Sequence, residues 1–453
     1  MKVPKEGHVA VLAFPFGTHA TPLLTLVGRL SANAPNLKFL FLNTAKSNQK
    51  LFPKIESDDH QSIRPYDVDD GVPEGHVFSG NPLEAVELFL RATPGNFKNV
   101  LEEAVAETGV KITCLLTDAF FWFAADMAAE MGVPWVAFWT AAPCSLSAHM
   151  YTDVLRSTLK GKEENGDENL DFIPGMSAIR AKDLPGGVIQ GNLEAPFSIM
   201  QHKMGQAISR ATALAMNSFE EIDPTINNDL KSKLKRVMNI GPFDLAWPPT
   251  SFSDESGCIP WLDRHGNASV AYLSFGSVLM PPPNELIALA EALETQRVPF
   301  LWSFRDSSKL QLLEGFLGRT STLGKVVPWT PQLQVLEHTS VGVFITHAGW
   351  NSVSESIAGG VPMICRPFFG DQGLNSRLVE EVWKIGVSVE GGNFTKSGTT
   401  KALELVFSSG KGGEMRENIV NLKQKAKMAV GSDGSSTMNF STLVKVVAGC
   451  ENV

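Results

Sequence analysis

Between Trp329 and Gln372 the chain reads WTPQLQVLEHTSVGVFITHAGWNSVSESIAGGVPMICRPFFGDQ, its densest run of residues able to do chemistry. The β-branched and aromatic stretch Val341 to Thr346 predicts a strand. His347-Ala-Gly-Trp-Asn-Ser follows as a loop, then a helical stretch from Val353 to Ala358, Gly359-Gly360, and a second apolar run from Val361 to Cys365. In such a strand–loop–helix–strand unit the helix N-terminus directs unpaired N–H groups and its positive dipole end out of the sheet edge. Gly349, Asn351 and Ser352 therefore stand where a phosphate would bind, with His347 as an added donor. Glu355 lies on the same helix face as Asn351 and Ser352, where its carboxylate can accept from the two hydroxyls of a ribose. Trp329 offers an aromatic face for a base. Asp371 and Gln372 follow the second strand directly and supply acceptors and an amide for vicinal sugar hydroxyls. Each residue alone has a plainer reading: Trp329 as a core aromatic, Asn351 as a helix cap, Glu355 as an exposed helix residue, Asp371-Gln372 as a turn. Jointly, at this spacing, they describe a nucleotide-sugar site.

A site of this kind that passed its sugar to a hydroxyl would also need a base and neutralisation of the departing diphosphate. His19, in FPFGTH at the carboxyl end of the first predicted strand, is placed for the first role. Asp118 ends another predicted strand and can fix the imidazole tautomer. Their plainer readings are a loop histidine and a helix cap.

The elements that must position these residues alternate regularly. Strand Val9 to Phe14, helix Pro22 to Leu30 and strand Lys38 to Leu42 are followed by helices around Pro82 to Arg91 and Phe97 to Thr108. Strand Ile112 to Thr117, helix Phe120 to Met131 and strand Trp135 to Phe138 continue the series. Alternation of this kind predicts an α/β fold with a parallel, doubly wound sheet. The polar stretch Lys160 to Asp171 interrupts it as a mobile loop, and Gly241 to Gly257, rich in Pro, Gly and Ser, is the candidate linker. A second series then runs through strand Val270 to Phe275, helix Asn284 to Thr295 and strand Phe300 to Phe304 into the segment described above. Gly410-Lys-Gly-Gly is read as a turn, because no strand precedes it and no Ser/Thr follows the lysine as a P-loop needs.

The Trp329–Gln372 segment resembles the signature box of plant family 1 UDP-glycosyltransferases. The resemblance covers nearly the whole chain and implies the GT-B fold, two facing Rossmann-like domains with a deep cleft. It implies an N-terminal acceptor-binding domain over 1–243, a linker over 244–257 and a C-terminal UDP-sugar-binding domain over 258–434, with the helix at about 435–453 packing back on the first. By position it also implies uracil stacking on Trp329, main-chain contact at Thr330, ribose contacts from Gln332 and Glu355, and diphosphate contacts from Ser277, His347, Asn351 and Ser352. Thr140, Trp350, Asp371 and Gln372 would face the glucose, and His19 with Asp118 matches the family's catalytic pair, with inversion at the anomeric carbon and no metal or other cofactor. Two positions depart from the commonest pattern: Thr330 where alanine is usual, and Ala348 where cysteine is usual.

FPFGTHATPLL and GGVPMICRPFFGDQ resemble most closely the flavonoid 3-O-glucosyltransferase branch, which acts on flavonols and anthocyanidins. An aromatic slot for a flat acceptor can then be drawn beside His19 from Phe16, Phe120, Phe121, Trp122, His149, Phe197, Met200, Phe369 and Gly370, though most would serve equally as core. Gln372 at the end of the box implies glucose as the preferred sugar; the alternative is a UDP-glycosyltransferase for another small phenolic acceptor or with another donor sugar such as galactose. The expected partners are UDP-glucose and a flavonoid. A non-catalytic nucleotide-sugar binder would not need His19 and Asp118, and a nucleotide-dependent oxidoreductase would need a glycine fingerprint that is missing.

Composition bounds the rest. At 453 residues and 43% hydrophobic content, two buried cores are expected. A net charge of −9 without basic runs argues against nucleic acid. The five cysteines are scattered, without ligand spacing, which suits a reducing compartment and no structural metal. No apolar run approaches a membrane span or a signal peptide, so a cytoplasmic monomer is expected, in which the sequons at Asn267, Asn393 and Asn439 carry no meaning.

Overall fold

The computed structural model describes residues 7–53, 62–81, 83–160, 166–248, 253–276, 278–305 and 314–449. Two parallel sheets organise it. The first is built from β1 (Gly7–Leu12), β2 (Leu37–Thr44), β3 (Ile63–Val68), β4 (Ile112–Asp118), β5 (Trp135–Trp139), β6 (Ala213–Met216) and β7 (Val237–Asn239). The second uses β8 (Val270–Ser274), β9 (Phe300–Ser303), β10 (Gly324–Val327), β11 (Val341–Thr346), β12 (Met363–Cys365) and β13 (Gly386–Ser388). Their spatial orders are β3-β2-β1-β4-β5-β6-β7 and β10-β9-β8-β11-β12-β13. This is the two-domain, doubly wound arrangement expected from the sequence.

Helices cover both faces, so the central strands are apolar throughout: Val9 to Leu12 and Val343 to Ile345 are 0% exposed. In both sheets the order reverses once, between β1 and β4 and between β8 and β11. Loops leaving the carboxyl ends of those strands diverge there and open a crevice. His19 follows β1 and Asp118 ends β4; Gly276 follows β8 and His347 follows β11. The strand order thus places the chemistry-bearing residues.

Four local expectations change. The helix expected from Phe120 begins only at Ala124, because Asp118 Oδ1 accepts the Phe120 N–H (2.9 Å) and holds a turn there. Gly410 is not a free turn but the N-cap of the long helix Lys411–Ala429. Gly412 allows a close approach within that helix's first turn: a Cβ there would lie 2.1 Å from the Val406 carbonyl oxygen. Within 241–257, whose residues 249–252 lie outside the described set, Phe243–Ala246 is helical, and the Phe243 ring stacks on Phe138. Of the expected loop 160–171, residues 161–165 also lie outside it, and Asn169 bridges Arg180 in antiparallel fashion.

The final helix, Ser435–Val447, lies on the first sheet, where Leu443, Val446 and Val447 join the cluster of Val9, Val11 and Val136. Ser436 Oγ donates to the Gly241 carbonyl (2.7 Å) and Asn439 Nδ2 to that of Asn239 (3.0 Å). Among the described residues no helix is long and apolar enough to cross a membrane.

Candidate active site

A cavity of about 450 Å³ is lined by residues from the carboxyl edges of both sheets. On the first side stand Thr18, His19 and Thr140. His19 caps the helix Ala20–Asn33, and its Nδ1 lies 2.7 Å from Asp118 Oδ2. A carboxylate only accepts, so Nδ1 carries the proton and Nε2 is left as the basic nitrogen. The Asp118 side chain is 2% exposed and His19 22%, so the carboxylate is dry while the imidazole reaches the cleft. Thr140 Oγ1 lies 3.1 Å from Nδ1, and the Phe120 ring centroid sits 4.7 Å from that of His19, which confines the imidazole plane.

Opposite, the helix Trp350–Gly359 starts at Gly349 directly after β11, presenting its unpaired N–H groups to the cavity. The His347 ring lies between two glycines. A Cβ at Gly276, where φ is +74°, would come within 2.9 Å of it, and one at Gly349 within 2.5 Å. Burial pushes the His347 pKa down to about 4, so the ring is neutral at ordinary pH, and its Nδ1 has no partner. A neutral imidazole can still donate one hydrogen bond to an anion.

The next wall is a hydrogen-bonded relay. Tyr272, 0% exposed on β8, places its hydroxyl 2.7 Å from Thr330 Oγ1 and 2.8 Å from Gln332 Oε1. Since Oε1 only accepts, Tyr272 donates to Gln332 and Thr330 donates to Tyr272. This turns the Gln332 amide so that Nε2 donates to Glu355 and faces Ser352 Oγ at 3.4 Å. Burial, with the Asp244 carboxylate nearby, pushes the Glu355 carboxyl up to about 8. Trp329, 44% exposed, stands at the mouth of this wall.

Asp371 caps the helix Gln372–Arg377 and completes the lining. Asn375 Nδ2 donates both to Asp371 Oδ2 (2.9 Å) and to the Ala348 carbonyl (3.0 Å), tying the carboxylate to the loop after β11. Burial raises the Asp371 pKa. Gln372 Oε1 accepts from the Phe368 and Phe369 backbone N–H groups at 2.8 and 3.2 Å, so only its NH₂ remains for a ligand.

The structure thus brings together His19, Thr140, Trp329, Thr330, Gln332, His347, Trp350, Asn351, Ser352, Glu355, Asp371 and Gln372 around one cavity, with Asp118 behind His19. Ser277 lies outside the described residues. Two placements bear on the expected roles. The Trp350 indole N–H is already committed to the Asn217 carbonyl of the first half (2.8 Å), which leaves its backbone N–H, at the first position of the helix, as the donor it can offer to the cavity. Of the acceptor-slot residues Phe369 lines this cavity, whereas Phe16, Phe120, His149, Phe197 and Gly370 lie outside its lining. Phe120, Phe121, His149 and Met200 are core, each at most 7% exposed. The half-buried Phe16 and Phe197 pack on that cluster at 5.3 Å from Phe14 and 6.0 Å from Phe120. Tyr272, Asn375 and Gly276 were not found by the sequence reading. For Tyr272 the available signal is a phenolic hydroxyl inside an otherwise largely apolar strand. No group of three or more potential metal-ligating side chains occurs among the described residues.

Comparison with known proteins adds the following. A family model described as UDP-glucoronosyl and UDP-glucosyl transferase matches residues 84–427. A flavonol 3-O-glucosyltransferase of Actinidia chinensis var. chinensis is 58% identical, covering 99% of this chain and 98% of its own length. An anthocyanidin 3-O-galactosyltransferase of the same plant is 54% identical, covering 99% and 98%. The crystal structure of a UDP-glucose:anthocyanidin 3-O-glucosyltransferase in complex with UDP aligns with a TM-score of 0.93 at 42% identity, covering 99% of this chain and all of that one.

Proposed function

The chain belongs to the UDP-glucoronosyl and UDP-glucosyl transferase family, and from that premise we propose that it transfers glucose from UDP-glucose to the 3-hydroxyl of a flavonol or anthocyanidin, with inversion. The observation that carries the reading is the 2.7 Å His19–Asp118 pair, aimed from one sheet edge into a cavity whose other wall holds Asp371 and Gln372.

His19 Nε2 removes the proton of the acceptor hydroxyl as its oxygen attacks the anomeric carbon. Asp118 stabilises the imidazolium, and the glycosidic C–O bond to the diphosphate breaks on the opposite face. Charge on the leaving diphosphate is met by the N-terminus of the helix Trp350–Gly359 with Asn351 and Ser352, and by the neutral His347 as a donor. These groups need no metal, and chelator treatment is expected to leave turnover unchanged. Trp329 stacks on uracil, Thr330 contacts it through the main chain, and Gln332 and Glu355 take the ribose. The acceptor lies mainly against residues 1–243 and the donor against 258–434, joined by 244–257.

Glucose is the preferred sugar. Gln372 offers only N–H and Asp371 only acceptor oxygens, so the facing hydroxyls have fixed roles. An epimer that leaves one of these groups unpaired loses about 1–3 kcal/mol, a preference rather than exclusion. Identity alone does not separate the donors, because a relative named for galactosyl transfer is 54% identical.

The test is an incubation of the enzyme with UDP-glucose or UDP-galactose and either a flavonol or its 3-O-methyl ether. A β-glucoside formed only from the free 3-hydroxyl, with the higher specificity constant for UDP-glucose, is expected. Equal glycosylation of the ether removes the regiochemical assignment; no product from either removes the function.

A further inference from the structure

The helix Gln372–Arg377 begins in the cleft and ends on the other half of the molecule. Its N-cap Asp371 and first residue Gln372 line the cavity, while its last residue, Arg377, reaches Asp183 on the single turn Ala181–Asp183. Arg377 Nε donates to Asp183 Oδ2 at 2.9 Å and Nη2 to Oδ1 at 3.2 Å, a two-pronged pair whose geometry fixes direction as well as distance. The two side chains are 14% and 11% exposed, so the pair is nearly dry. Asp183 Oδ2 also accepts the Arg180 N–H (2.9 Å), which anchors the carboxylate to its own backbone.

A second contact bears on the same residue. Gly373, one position after Gln372, lies so close to Asp183 that a Cβ on it would stand 2.7 Å from the Asp183 carbonyl oxygen. The first turn of the helix and its last residue therefore both rest on Asp183, one by close backbone approach and one by a charged fork. The two contacts lie one turn apart on one face of a helix that continues through Leu378–Val382, so that face cannot slide along the first half without breaking one of them.

We propose that Asp183 and Arg377 are positioning residues that set the register between the two halves, holding Asp371 and Gln372 at a fixed distance from His19. The inference rests on the proposed contact of Asp371 and Gln372 with the sugar. Neither Asp183 nor Arg377 touches substrate. Their effect is on alignment, and a misplacement of about 1 Å between reacting groups costs on the order of a hundredfold in rate.

Steady-state kinetics with UDP-glucose and a flavonol, alongside calorimetric titration with UDP alone, test this on Arg377→Gln, Asp183→Asn and Gly373→Ala. Asp183→Asn keeps the acceptor for the Arg180 N–H, and Gly373→Ala alters no charge, so the set does not depend on one variant folding. All three are expected to lower kcat by about tenfold or more while UDP affinity stays within about twofold, and the Asp183→Asn/Arg377→Gln double variant loses far less than the product of the singles. Turnover within about twofold of the parent, losses in UDP affinity equal to those in turnover, or a lowered Tm with unchanged kcat overturns the clamp. Asp371→Ala, measured alongside, reports on the sugar contact itself: equal losses for UDP and UDP-glucose refute that contact while leaving the clamp variants' own loss of turnover to be read.

Discussion

His19 and Glu355 show how one residue's role depends on what lies behind it. His19 is basic at Nε2 because Asp118 holds the proton on Nδ1. His19→Ala is expected to lower turnover by about 10²–10⁴ while leaving UDP affinity nearly intact. Asp118→Asn costs turnover too, since an amide can turn its NH₂ toward Nδ1 and favour the wrong tautomer; a change in Tm alone would reduce Asp118 to a cap for Phe120. Glu355 is buried beside Asp244, with its carboxyl raised from 4.5 to about 8. A raised carboxyl pKa means the folded state holds its proton after the unfolded chain has released it. Glu355's own contribution to the stability of the ligand-free protein therefore falls as pH rises from about 4.5 through about 8. Glu355→Gln removes that loss, so its Tm advantage over the parent grows between those limits. An advantage independent of pH would contradict the assignment. Glu355 was legible from its spacing to Asn351 and Ser352, whereas Tyr272 was not. A tyrosine in a strand is ordinarily core, and only the folded sheet brings its hydroxyl to Thr330 and Gln332 from some sixty positions away.

At the scale of elements, the cavity-facing end of the helix Trp350–Gly359, which we propose binds the diphosphate, depends on the turns around it. Gly349 has φ −64° and ψ 146°, a conformation alanine adopts freely, so its requirement for glycine is spatial. The methyl of Gly349→Ala would meet the His347 ring, which Gly276 blocks from the other side. Overpacking of this kind costs about 1–3 kcal/mol. UDP affinity measured by calorimetry is expected to fall about tenfold, and in a His347→Ala background the same substitution should cost nothing further. A full loss in that background would place the fault in the backbone rather than the ring. The strand–loop–helix–strand order of this unit was readable because β11 and the run leading into β12 are short apolar stretches with Gly349 and Gly359-Gly360 between them. The short strands β6 and β13 and the helix Pro196–Ala207 were not, since brief apolar runs look alike until packing selects their period.

For the whole molecule, the last helix returns to the first sheet, so the amino-terminal half is completed by residues from the carboxyl end. Leu443, Val446 and Val447 are at most 2% exposed, and each buried aliphatic side chain contributes about 1.5–3 kcal/mol. Deleting the chain from Ser435 onward uncovers this face and also removes the Ser436 and Asn439 bonds to Gly241 and Asn239. The shortened protein is expected to lose cooperative unfolding of its first half, read by calorimetry as a lost or strongly lowered transition. A truncated form melting like the parent would show that the helix only decorates the surface.

The sequence by itself determined the periodicity of strands and helices, the presence of two doubly wound sheets, and the residues from Trp329 to Gln372 that line one wall of the cavity, because these follow from short-range spacing. Only the tertiary structure decided that Trp350 spends its indole N–H on Asn217, that Gln372 keeps only its donor side, that Phe120 and Phe121 are core while Phe369 lines the cavity, and that Asp183 carries the helix behind Asp371. Each of these joins residues that are remote in sequence, or settles which of two open hydrogen-bonding or packing states a side chain occupies. Neither is encoded in local pattern; both are fixed by where the two halves meet.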